Sequence, residues 1–137
     1  MPTSDGGLVD AVLDGSVSSG VYPLHDPVST DELVERAGAQ GWVALAADAA
    51  NGKVTVLEGL AAAGRFPAWF GRNWDALSDC LVDLSWLPPA EGYLVLIDGW
   101  GRLTAEAPAD AATLRAVLAH ASAEWSDRGT PFVALTR

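Results

Sequence analysis

A small α/β domain, a three-stranded parallel sheet packed against helices, is the fold this sequence predicts, and three observations lead to it. Three short apolar runs, WVALAAD (42–48), YLVLID (93–98) and PFVALT (131–136), have the length and composition of buried strands. The stretches between them carry helical spacing, as crossovers between parallel strands do, with right-handed connections as the default. Half of the 137 residues are hydrophobic, which gives one domain a sizeable core.

Taken in order, residues 1–30 are rich in Gly, Ser, Asp and Pro. Within them LVDAVL suits a short helix and GVYPL a short edge strand, the position in a sheet where Pro23 is tolerated. STDELVERAGAQG then reads as a helix. Ser29 or Thr30 caps it, acids fill its first turn, Leu33, Val34 and Ala37 share a face, and Gly41 lies just past its end. This helix is expected to shield one side of the sheet. After the first apolar run comes a turn at Asn51 and Gly52. Two helices follow, VLEGLAAAGRF (56–66) and NWDALSDCLVDL (73–84), separated by a turn at Pro67 and Gly71. Beyond YLVLID, the DGW and GWG near 98–101 read as a turn, and APADAATLRAVLAHASAEWSDRG (107–129) reads as a long Ala-rich helix in one piece or two. No internal repeat is visible. The expected division is an N-terminal extension of loop, short strand and helix over 1–40, packed on a domain over 41–137.

Charge narrows the partners. Eighteen acidic against eight basic residues give a net charge of −10 and a pI near 4.3. Nucleic-acid affinity rests on Lys and Arg neutralising phosphates, so neither DNA, RNA nor an anionic membrane fits, whereas an acidic field speeds encounter with a basic macromolecule. No apolar run approaches the roughly 20 residues of a membrane span, and MPTSDGGLVDAVLDG lacks the basic and apolar regions of a signal peptide. The single cysteine, Cys80, cannot form an internal disulfide and no CxxC pair is present. A cytoplasmic location is the expectation. Of the two histidines, His25 lies in the loop-like LHDP and His120 among small residues of the long helix, neither with metal-site spacing. There is no phosphate-cradling glycine motif, no GxSxG elbow and no cysteine with a motif-placed histidine, so the chain is read as a non-enzyme without metal or cofactor. A paired-carboxylate hydrolase using Asp75 and Asp79 with Mg²⁺ is the catalytic alternative, and it would respond to that ion.

The stretch WFGRNWDALSDCLVDL places Asp75, Asp79 and Asp83 at four-residue intervals. Trp74, Leu77, Leu81 and Leu84 follow the spacing of a core-facing helix side, and Asn73 is a suitable N-cap. Asp75 then gains from the helix dipole, but Asp79 and Asp83 do not. Like charges four apart cost a few tenths of a kcal/mol each, and Asp83 stands near the negative end of the dipole. An ordinary solvated acidic face is the plain explanation. Against it stands FPAWFGRN, which puts Trp69 and Phe70 in a turn just ahead of the acids, as interface hot spots favour aromatics beside charge. The plain reading of the phenylalanines is that Phe66 or Phe70 staples this turn to the core. Cys80, pointing partly inward, reads as a small buried hydrophobe.

FPAWFGRNWDALSDCL resembles the signature of the barstar family, intracellular inhibitors of small secreted ribonucleases of the barnase type. That signature runs aromatic-aromatic-Gly-x-Asn-x-Asp-Ala-Leu-x-Asp-x-Leu, and every fixed position is filled. The element order agrees over about residues 41–137 and leaves 1–40 as an extension. The resemblance implies a barstar-like fold and an acidic helix that enters a ribonuclease active site, where carboxylates pair with the Arg, Lys and His groups that otherwise hold RNA phosphates. It implies that Asp79 is the central acidic contact, Asp75 a second, and Trp69 an aromatic stacked on the enzyme's histidine, in place of the usual tyrosine. Asn73, Trp74, Ser78 and Val82 would frame the patch, and Phe70 counts among the ribonuclease-binding candidates by its place in the turn beside Trp69. Asp83 stands where a small residue is usual, which points to a different cognate enzyme. Glu124, counted back from Gly129, would supply an acid from the last helix. The implied partner is a small basic ribonuclease, bound one to one by a monomer that protects the producing cell. The alternative is a barstar-fold interaction or regulatory module for another basic protein, since a fold hosts many functions.

Overall fold

A strand with an apolar side chain at every interior position needs two apolar faces to bury them, and Tyr93–Ile97 finds both at the middle of the sheet. The computed structural model describes residues 6–137. In chain order the elements are α1 (Gly6–Leu13), β1 (Gly20–Pro23), α2 (Thr30–Ala39), β2 (Trp42–Asp48), α3 (Lys53–Ala63), α4 (Trp74–Asp83), β3 (Gly92–Asp98), α5 (Trp100–Glu106), α6 (Pro108–Asp127) and β4 (Phe132–Thr136). The strands form one sheet in the order β1-β4-β3-β2, all parallel.

The period of two sorts the strand side chains between two cores. Leu45, Tyr93, Val95, Ile97, Phe132 and Ala134 meet Val56, Leu57, Leu60, Leu77, Leu81, Leu114 and Leu118 on the face covered by α3, α4 and α6. Trp42, Leu94, Leu96, Val133 and Leu135 turn the other way, onto Val9, Val12, Leu24, Leu33 and Ala37. The second layer thus comes wholly from residues ahead of β2.

The short strand read in GVYPL is present, and it makes the sheet four-stranded. β1 pairs with β4 from Gly20↔Val133 to Pro23↔Thr136. Because the Leu24 N–H donates to the Thr136 carbonyl at 2.8 Å, alternation turns the Pro23 nitrogen away from the sheet, where its missing proton costs nothing. The extension is tied down again beyond the strands. Arg137 pairs with Asp98 and donates to the carbonyls of Asp26 and Val28, while the Thr30 hydroxyl donates to Asp98 at 2.8 Å. Ser29 is the N-cap of α2, accepting from the Glu32 N–H at 3.1 Å.

Three boundaries differ from the sequence reading. The turn expected at 98–101 is instead the start of α5: Gly99, at φ +73°, takes the chain out of β3, and burial of Leu103 anchors the seven residues in helical form despite Gly101. α6 then begins at Pro108, where a missing N–H is harmless, and runs unbroken to Asp127. The helix expected over 56–66 spans Lys53–Ala63, because the chain turns out of it after Gly64: Arg65 takes the left-handed conformation at φ +52° and the Phe66 N–H returns to the Ala61 carbonyl at 2.9 Å. A Cβ on Gly64 would lie 2.6 Å from the Phe66 ring and 2.8 Å from Leu45.

Candidate inhibitory surface

α4 starts where the sequence indicates. The Asn73 side chain accepts from the Ala76 N–H at 2.8 Å, and Arg72 just before it takes the left-handed conformation at φ +55°. With that start fixed, the apolar period sends Leu77, Cys80, Leu81 and Leu84 fully inward. Asp75, Asp79 and Asp83 are left on the outer side, with Ser78 and Val82 beside them. Among the described residues none of the three aspartates joins an ion pair; Asp83 accepts only from the Ser85 N–H, at 3.3 Å. Beyond the dipole term at Asp75 and this one bond to Asp83, a row of like charges without internal counter-ions gives little to the fold of the free chain.

The turn ahead of α4 presents one aromatic and buries another. Trp69 is 63% exposed, while Phe66 and Phe70 pack against the core. Their rings meet edge to face at 5.0 Å. Beneath them stands Trp86, edge-on to Phe66 at 6.0 Å and to Trp69 at 6.4 Å, with its indole N–H donating to the Gly64 carbonyl at 2.8 Å. Trp69 therefore stands on a built platform in the turn that leads into the acidic helix. Phe70 turns inward and supports the turn. Trp74 is half-buried, with the Lys53 ammonium 5.4 Å from its ring centroid. Glu124 sits half-buried on α6, the helix packed against α4. Sequence reasoning missed Trp86, Trp125 and Arg128, whose roles are set by contacts 22 to 46 residues away. Among the described residues, no group of three or more His, Cys, Asp and Glu side chains is placed to hold a metal ion, and no helix is long and apolar enough to cross a membrane.

Burial pushes the Cys80 thiol from 9.0 up to about 11, with the charges of Asp79 and Asp83 adding to the rise. The neutral thiol is favoured in the folded state, so the unfolded chain ionises first. Stability is expected to fall between pH 9 and 11, by at most ~1.4 kcal/mol per pH unit, and Cys80→Ala should flatten that part of the profile in urea titrations. At about pH 8 the native thiol should react with an alkylating reagent at least ~10³-fold more slowly than in urea, since it must wait for unfolding.

Compared with known protein families, residues 42–137 match Barstar (barnase inhibitor). The chain belongs to the barstar family. A search of curated proteins found no match. The barstar match begins at Trp42, the first residue of β2, and covers β2 to β4 with α3 to α6, so α1, β1 and α2 lie outside it. The acidic row, the aromatic turn and Glu124 all fall inside. Barstar-family proteins are inhibitors rather than enzymes, and the class of partner implied is a barnase-like ribonuclease.

Proposed function

We propose that this protein is an intracellular inhibitor that blocks the active site of a small basic ribonuclease with the exposed side of α4 and the turn before it. The observation that carries the reading is the row of Asp75, Asp79 and Asp83, without ion pairs among the described residues, beside an exposed Trp69 and within a region that matches an inhibitor family. Side chains that contribute little to the fold but are held rigidly at the surface are suited to a partner. In the complex, Asp79 and Asp75 take the positions of RNA phosphates against the enzyme's cations, and Trp69 covers the site with its ring. Asp83 and Glu124 widen the acidic patch at its two sides. One inhibitor binds one enzyme, because a single helix face fills a single cleft.

With a net charge of −10 the chain should associate by electrostatic steering. Stopped-flow mixing with barnase should show an association rate constant that drops by roughly tenfold or more between about 0.02 and ~0.5 M salt, as the Debye length shrinks to a few ångström. A rate independent of salt would count against the acidic row as the contact.

A further inference from the structure

α4 is capped by another helix. Its end has Leu84 in the left-handed conformation with its N–H bonded to the Cys80 carbonyl, and the Ser85 N–H goes to the Asp83 side chain, so the carbonyls of Leu81 and Val82 have no helical donor among the described residues. Both are met from the end of α6. The Trp125 indole N–H donates to the Leu81 carbonyl at 2.7 Å, and the Arg128 guanidinium donates to the Val82 carbonyl at 2.5 Å. The guanidinium also lies over the Trp125 ring, 4.5 Å from its centroid, so the two donors brace each other. A cation at the negative end of the helix dipole strengthens the hold.

We infer that Arg128 is a positioning residue for the ribonuclease-binding face, fixing the last turn of α4 on α6 and so holding Asp79 and Asp83 in register with Glu124. The inference rests on the reading of α4 as the inhibitory helix. The charge of Arg128 cannot itself serve binding, since a cation beside an acidic face repels a basic enzyme. Its field also reaches Tyr93, where it opposes the burial that raises the phenol. The contribution of Arg128 to affinity therefore comes through the carbonyl it holds, and loss of that hold and loss of the charge act separately on the two rate constants.

Association and dissociation with barnase should be measured for the wild type, Arg128→Met and Arg128→Lys, with thermal midpoints alongside. Methionine keeps an unbranched stem but has neither donor nor charge. Dissociation should become roughly tenfold faster while association at low salt becomes about twofold faster. Lysine restores a donor and the charge, and should bring dissociation back to within about threefold of the wild type. A purely structural role would move the thermal midpoint and leave dissociation of the folded protein unchanged. Wild-type binding with unaltered dissociation in Arg128→Met would overturn the positioning role and leave the inhibitor reading standing. Absence of wild-type binding would overturn both.

Discussion

Replacing Asp79 by alanine should weaken binding to barnase by at least ~3 kcal/mol, more than a hundredfold, while the thermal midpoint of the free protein stays the same or rises slightly. The magnitude is set by the barnase and barstar pair, a relative of this system on which such charge coupling has been measured. The direction follows from the structure. Asp79 joins no ion pair among the described residues, and has Asp75 and Asp83 one turn away on either side. Removing it relieves like-charge repulsion worth a few tenths of a kcal/mol in the free helix. In the proposed complex the same change would leave the enzyme's cations buried and unpaired. Calorimetric titration and thermal melts of the same two samples separate these effects, and a large drop in the midpoint would mean that Asp79 is structural.

The second large effect concerns the region outside the family match. A chain starting at Trp42 should fail to give a stable monomer, because Trp42, Leu94, Leu96, Val133 and Leu135 would lose Val9, Val12, Leu24, Leu33 and Ala37 and leave a contiguous apolar sheet face in water. It would also uncover β4, whose backbone pairs with β1 along its outer edge. A milder variant makes the claim measurable where the truncated chain aggregates. Leu33 is fully buried in this layer, and Leu33→Ala should cost about 2–5 kcal/mol in urea denaturation at an unchanged binding affinity for barnase. A truncated chain that melts at the wild-type temperature would show the extension to be an ornament.

Legibility in the sequence followed the range of the interactions. α4 could be read to within a residue because its cap, its apolar period and its charge row are all local, and Asn73, Leu77 and Leu81 each take the predicted place. That the turn before α4 presents an aromatic was legible from the pair Trp69 and Phe70, but not that Trp69 is the exposed one, and Trp86 was not legible at all. It lies in the proline-containing loop after α4, and its role depends on the Gly64 carbonyl 22 residues earlier. α5 was hidden because Gly99 and Gly101 on either side of Trp100 read as a turn, and its form depends on the Gly99 conformation and the burial of Leu103. The uninterrupted run Tyr93–Ile97 did announce a buried strand. The apolar face of α2 also announced a cover for one side of the sheet, where Leu33 and Ala37 now lie, but that α1 and Leu24 complete that layer is a tertiary fact no local pattern carries.

The most direct test of ribonuclease inhibition by α4 is a titration of barnase with this protein while RNA cleavage is followed, with Asp79→Ala in parallel. Cleavage is expected to fall linearly to zero near one inhibitor per enzyme, and the substituted protein to inhibit only at far higher concentration. Cleavage that continues untouched at a large excess of the wild-type protein would contradict inhibition of a barnase-type ribonuclease, and inhibition equally strong in Asp79→Ala would contradict the assignment of α4 as the inhibitory helix.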